Sequence, residues 1–154
     1  MIIVQQATDD DATRMSEILA EVLVSWNSQR PRSPQHVLEN YINHPDRIRC
    51  SVARDGSGGL LGFQSLKVAS AGNPYDLPVG WGIIGTYVSS DAGRKGVGRF
   101  LFASSREAAL AAGLLEIDAT IGEANHPALA YYEALGFETY KVKTGAVCKK
   151  FTLN

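Results

Sequence analysis

The sequence predicts a mixed α/β fold whose sheet is neither strictly alternating with helices nor purely antiparallel. Three observations predict it. Met15, Ile18, Leu19, Val22, Leu23 and Trp26 recur at helical spacing. Two strand-like runs, 48–54 and 60–69, flank Asp55-Gly56-Ser57-Gly58-Gly59 and read as a hairpin. Residues 80–112 then read strand, glycine-rich turn and helix, in the middle of the chain.

Taken in order, residues 2–6 form a short strand. Thr8 is placed to cap the first helix, with Asp9, Asp10 and Asp11 in its first turn, where the helix dipole favours acids. Residues 27–32 are a polar loop, and Ser33-Pro34 supplies a cap and first position for a second helix. That helix carries Val37, Leu38, Tyr41 and Ile42 on one side and stops at His44-Pro45. The hairpin follows, then an irregular connection over 70–79 with Gly72, Pro74 and Pro78. The apolar run 82–88 is the fourth strand.

The helix over 99–112 ends at Gly113, and its face Val97, Leu101, Ser104, Ala108, Ala111 is small enough to pack closely on a sheet. Leu115, Ile117, Ala119 and Ile121 alternate with Glu116, Asp118 and Thr120, so the fifth strand has one strongly apolar face. Asn125 caps a short helix running to Leu135, which Gly136 closes, and 137–142 and 146–153 are the last strands. The order is β-α-α-β-β-β-α-β-α-β-β.

At 154 residues the chain fits one domain over 1–154. Its 45% apolar and 20% charged content is that of an ordinary globular protein. A net charge of −1 gives no global attraction to nucleic acid or anionic lipid, so any anion site must be local. Cys50 and Cys148 lack metal or disulfide-scaffold spacing and read as buried thiols. No apolar run approaches a membrane span and no leader pattern opens the chain, so a cytoplasmic protein is expected.

Chemistry enters at Gly93-Arg94-Lys95-Gly96-Val97-Gly98. A glycine-rich turn feeding a helix directs unpaired N–H groups and the positive dipole end to one spot, which binds phosphate. Arg94, Lys95 and Arg99 beside it point to a polyanionic ligand. ATP and NAD are compatible with such a turn. Against them, it lacks the Lys-Ser/Thr ending of a P-loop and does not follow the first strand, where a dinucleotide fingerprint sits.

The mid-chain turn and the late run Asn125-His126-Pro127-Ala128-Leu129-Ala130-Tyr131-Tyr132-Glu133-Ala134-Leu135-Gly136-Phe137 resemble the GNAT superfamily of acetyl-CoA-dependent N-acetyltransferases. Residues 87–101 look like its β4–turn–α3 motif, Arg/Gln-x-x-Gly-x-Gly/Ala, and 125–137 like its β5–α4 motif. With Gly96 and Gly98 aligned, the family's first Arg/Gln falls on Gly93, and an arginine comes one place later at Arg94.

The resemblance implies a mostly antiparallel sheet of six to seven strands flanked by about four helices. It implies acetyl-CoA as co-substrate and no metal. Backbone N–H groups from Arg94 to Arg99 (Lys95, Gly96, Val97 and Gly98 between them) would hold the pyrophosphate, with Lys95, Arg99 and Arg94 as helpers. Thr86, Tyr87 and Val88 would bind the pantetheine arm and polarise the thioester carbonyl through backbone groups, an oxyanion-type role. Asn125 would contact the coenzyme as well as cap its helix. Tyr132, seven places after Asn125, matches the family tyrosine near the thioester sulfur and would be the general acid, while Tyr131 reads as a core-face aromatic.

Many family members carry a glutamate on the fourth strand as general base, and residues 80–88 contain no acid. Asp76, Glu116, Asp118, Glu123 and His126 are the candidates, and each reads more readily as a surface residue than as a base. A neutral bound amine would need no dedicated base. The acceptor pocket falls to 26–33 and 70–79, where Arg30 and Arg32 could clamp a carboxylate. A primary amine of a small molecule or a peptide is the expected acceptor. Nucleic acid and membrane are not expected partners, and homodimers are common in the family. The alternative is a non-catalytic acyl-CoA-binding sensor of the same fold.

Overall fold

The computed structural model describes residues 1–92 and 96–153. Among them, seven strands form one sheet in the order β1-β2-β3-β4-β5-β7-β6. The strands are β1 (Ile3–Gln6), β2 (Arg47–Arg54), β3 (Leu60–Val68), β4 (Gly82–Val88), β5 (Glu116–Gly122), β6 (Glu138–Lys143) and β7 (Ala146–Thr152). Neighbours pair antiparallel except β4 and β5. The helices are α1 (Ala12–Ser25), α2 (Pro34–Val37), α3 (Val97–Ala111) and α4 (His126–Leu135). This is the expected mixed, mostly antiparallel sheet with its helices.

The caps act where the sequence places them, with differences of detail. Asp9–Asp11 forms a 3-10 turn ahead of α1, and the Asp11 carboxylate accepts from Thr8 N–H at 2.9 Å. Ser33 Oγ accepts from His36 N–H at 3.1 Å, and α2 continues as one wide turn over Leu38–Ile42.

One face of the N-terminal half carries α1 and α2, which bury Met15, Ile18, Leu19 and Leu23 against Val52, Phe63 and Tyr87. The other face carries α3 and α4, which pack Phe102, Ala109 and Tyr132, together with Phe137 just after α4, against Leu66, Ile84, Ile117 and Ile121. Each fully buried side chain of this size is worth about 1.5–3 kcal/mol relative to exposure.

Three expectations change. Trp26 leaves the α1 stripe: it lies at the helix end, 39% exposed, with its ring centroid 5.9 Å from that of Tyr87. The buried face of α3 includes Phe102, Ser105 and Ala109, whereas Ala111 is exposed, because the helix packs across several strands. The polar face of β5 is not solvated: Asp118 is 1% exposed, and Leu115, ahead of the strand, is 72% exposed. A bulge at Tyr140 in β6 covers Asp118, and the Tyr140 hydroxyl donates to Asp118 Oδ1 at 2.5 Å. Cys50 and Cys148 are both free and buried.

Candidate active site

The site begins where the sheet comes apart. β4 and β5 share two paired positions, Gly82 with Ile117 and Ile83 with Asp118. β4 runs on to Val88 and β5 to Gly122, so the strands diverge beyond Ile83. The β3–β4 ladder decides which backbone groups face the gap. Ala69 N–H donates to Trp81 C=O at 2.7 Å and Ser89 N–H to Leu61 C=O at 2.8 Å, with an unbroken register between them. Hydrogen-bonded pairs alternate along an antiparallel ladder. Ile83, Gly85 and Tyr87 therefore direct N–H and C=O toward β3, while Ile84, Thr86 and Val88 direct theirs into the gap.

A cleft of about 1490 Å³ runs through this gap. A single small-molecule site is typically about 300–1,000 Å³, so there is room for two reactants. Thr86, Gly98, Asn125, Tyr131 and Tyr132 line it from the α3–α4 side. Trp26, Arg30, Tyr41, Lys67, Tyr75 and Tyr87 line it from the α1–α2 side. The period of two along β3 and β4 separates these sets: Gln64 and Thr86 point one way, Phe63, Lys67 and Tyr87 the other.

A continuous hydrogen-bonded chain crosses the α3–α4 side. Ser105 Oγ donates to Gln64 Oε1 at 2.6 Å. Gln64 Nε2 donates to Thr86 Oγ1 at 2.9 Å and to Tyr131 Oη at 3.1 Å. The Tyr131 hydroxyl donates to Gly98 C=O at 2.7 Å, and Tyr132 Oη lies 2.8 Å from Thr86 Oγ1. Gln64 is fully buried, so its amide must be satisfied by protein partners, and it is. Burial pushes the Tyr132 phenol well above its ordinary pKa, and the bond with Thr86 opposes this in part. It also pushes Tyr131 up, to about 12.

The predicted phosphate cradle is described from Gly96 onward; Gly93, Arg94 and Lys95 lie outside the described residues. Gly96 has φ +78°, a left-handed conformation that suits glycine. The Phe100 N–H donates to Gly96 C=O at 3.2 Å, opening the helical ladder. The amides of Val97, Gly98 and Arg99 before it thus have no intrahelical partner. Val97's side chain is core, 2% exposed, and Arg99's is exposed. Gly98 is required by space: a Cβ there would sit 2.4 Å from Tyr131 Cε1.

The remaining predicted residues divide. Thr86 and Val88 turn backbone groups toward the gap, but Tyr87's are paired with Phe63, and it is the Tyr87 ring that lines the cleft. Asn125 Oδ1 accepts from Ala128 N–H at 3.2 Å while lining the cleft. Glu123 is exposed and lines the cleft, whereas His126 and Asp76 are exposed beside cleft-lining neighbours without lining it themselves. Glu116 accepts from Thr152 at 2.8 Å, away from the cleft lining. Asp118 Oδ2 accepts from Thr120 at 2.8 Å, so both its oxygens are engaged. Arg30 reaches the cleft, where Nη2 donates to Tyr87 Oη at 3.1 Å. Arg32 instead donates to Ser28 C=O at 2.6 Å and Arg30 C=O at 3.2 Å, which holds the loop.

Sequence reasoning missed Gln64, Lys67 and the Tyr41–Phe63–Tyr87 ring cluster. Gln64 had a signal: one amide in an apolar strand. The ring cluster comes from three separate elements and left none.

The family model of the Acetyltransferase (GNAT) family matches residues 14–137. No curated protein sequence matches the chain. Among solved structures it is similar to a GNAT superfamily phosphinothricin acetyltransferase from Sinorhizobium meliloti in complex with AcCoA, at 22% identity and TM-score 0.82, covering 99% of this chain and 89% of that one. A GCN5-related N-acetyltransferase from Kribbella flavida is 21% identical, with TM-score 0.79 and coverage of 99% and 98%. A ribosomal-protein-alanine N-acetyltransferase from Brucella melitensis is 21% identical, with TM-score 0.75 and coverage of 98% and 99%. The divided sheet, the left-handed Gly96 ahead of α3 and the match over residues 14–137 agree: the chain belongs to the GNAT acetyltransferase family.

Proposed function

We propose that this protein transfers an acetyl group from acetyl-CoA to a primary amine of a small molecule or peptide, by direct attack in a ternary complex. The observation that carries the reading is the cleft through the β4–β5 gap, with the Thr86–Tyr132 pair on one side and Arg30, Lys67 and a set of aromatic rings on the other.

The residues present fit an extended acyl-coenzyme. Backbone groups of Thr86 and Val88 in the gap suit an amide-bearing arm that adds to the strand, and the amides of Val97 to Arg99 with the positive φ of Gly96 suit a pyrophosphate. Acetyl-CoA, when bound, supplies an activated thioester. Thr86, Val88, Asn125 and the α3 amides would hold and orient it. Aligning two reactants in this way can be worth roughly 7–11 kcal/mol.

Tyr132 is assigned as the proton donor to the leaving sulfur. Its raised pKa keeps it protonated at neutral pH. Gln64 donates to Thr86 Oγ1, so the Thr86 hydroxyl hydrogen is available to Tyr132 Oη, and the Tyr132 hydrogen is then free to face the gap. As the phenol gives up its proton, Thr86 stabilises the developing phenolate.

The test is coenzyme A release across a panel of primary amines, with thermal shifts for acetyl-CoA, ATP and NAD. Acetyl-CoA should give the largest shift and at least one amine should be turned over. Acetyl-CoA binding without turnover on any amine would favour a sensor, and a larger shift with ATP or NAD would overturn the reading altogether.

A further inference from the structure

The α1–α2 side of the cleft carries charge that the transfer reaction itself does not use. Arg30 and Lys67 both line it, one from the loop after α1 and one from β3. Among the described residues neither lies within 4.0 Å of a carboxylate, although four other ion pairs form. The Arg30 side chain makes one hydrogen bond, to the Tyr87 hydroxyl, and Lys67 Nζ sits 5.3 Å from the centroid of the Tyr41 ring. Asp46 also lines the cleft here, where it accepts from Ser70 at 3.1 Å and its charge acts on Lys67; the other acid lining the cleft, Glu123, is exposed in the loop after β5. His36 and His44 add no charge at neutral pH: burial first, then the nearby cations, lower both pKa values. Two cations against the one Asp46 carboxylate leave this wall net positive.

We propose that the acceptor is an amine that also carries a carboxylate, held by Arg30 and Lys67 beside the Tyr41, Tyr75 and Tyr87 phenols. The proposal rests on the acetyltransferase reading and names its substrate class. A guanidinium with donors still free matches a planar carboxylate, and an ammonium beside it adds a second charge-assisted bond. A simple cationic amine would be repelled by the same wall. The Tyr87 ring folds back along β4, so that a Cβ on Gly85 would lie 3.3 Å from its Oη; the hydroxyl that Arg30 binds therefore sits against the strand beside Thr86, whose backbone faces the gap. The two cations serve the amine as well. They disfavour an adjacent ammonium and so help deliver the neutral nucleophile on a wall where the fourth strand offers no acid.

The experiment compares free α-amino acids, their carboxamides and their aminophosphonate analogues with wild-type, R30Q and K67M proteins. One readout is kcat/KM; a second is calorimetric affinity of each acceptor for the coenzyme A-saturated protein, which reports recognition without turnover. The acids should be preferred over the amides by roughly 10- to 100-fold in both, the yield of one or two charge-assisted bonds. R30Q and K67M should each erode that preference by about tenfold while coenzyme A affinity, measured separately, stays within about twofold. Equal handling of acids and amides, equal loss on both in R30Q, or preference for aminophosphonates would overturn the carboxylate assignment while leaving acetyl transfer intact. Failure of acetyl-CoA to bind would instead overturn the function on which it rests.

Discussion

The hydroxyls of Thr86 and Tyr132 lie 2.8 Å apart and join α4 to β4 at the point where β4 leaves β5. Tyr132 lines the cleft yet is only 5% exposed. Replacing it with phenylalanine removes the donor and keeps the ring packed on Phe137, 5.1 Å away between centroids. Tyr132→Phe should lower kcat by about 10²-fold or more, while KM for acetyl-CoA changes by less than about threefold. Steady-state kinetics checks this; an unchanged kcat would remove Tyr132 from the chemistry.

Thr86 offers a finer measurement. Thr86→Val keeps the shape but leaves Gln64 Nε2 one acceptor short and Tyr132 without its partner. Its kcat should fall by about tenfold, the worth of one such hydrogen bond, whereas Thr86→Ser should remain near wild type. Equal activity in the Val and Ser variants would show that the threonine only packs.

Much of this was legible in the sequence, for identifiable reasons. Helical and alternating periodicities, and caps such as Ser33, Asn125 and Gly136, are local, so the order of elements could be read directly. Tyr132 was singled out through the family resemblance alone, by its place seven residues after Asn125, and it lines the cleft. What the sequence concealed depends on the third dimension. Asp118 looked like the solvent face of a strand because nothing local announces that a bulged Tyr140 from another strand covers it. Tyr131 read as core, yet its hydroxyl crosses to Gly98 on α3. Arg30 and Arg32, two places apart, read alike; the loop's own carbonyls engage one and leave the other at the cleft.

That contact makes Gly98 a test of how cradle and acid are coupled. A Cβ at this position would press into Tyr131, so Gly98→Ala must displace the ring that carries the bond to Gly98 C=O and the bond from Gln64. Overpacking of this kind costs about 1–3 kcal/mol. Chemical denaturation should show a loss in that range, with weakened acetyl-CoA binding in the same protein. Unaltered stability and affinity would mean that Tyr131 moves aside freely.

The rate should carry the signature of a tyrosine acid and a neutral nucleophile. Burial raises the Tyr132 pKa above its usual value near 10, so the protonated form persists through the alkaline range. With a primary amine as acceptor, kcat/KM should climb with pH toward the amine's own pKa, with no falling limb below about pH 10. A plateau already at about pH 6 would point instead to a carboxylate base, with Glu123 on the cleft wall the first to replace.

Asp118 makes the stability itself depend on pH, with a sign opposite to the usual surface carboxylate. Burial raises its pKa from 3.8, and the hydrogen bonds from Tyr140 and Thr120 oppose the shift without cancelling it. A raised acid binds its proton more tightly in the native state than in the unfolded one. Its contribution is therefore complete below the unfolded pKa and is lost as pH rises through the folded one. Asp118→Asn has no proton to lose and can still accept one hydroxyl and bond to the other. From pH 4 to pH 8, wild type should lose stability relative to Asp118→Asn, read as a converging or inverting pair of urea midpoints. The reverse trend, wild type gaining on the variant as pH rises, would show that the two hydroxyls and the neighbouring Lys141 and Lys143 stabilise the carboxylate more than burial penalises it.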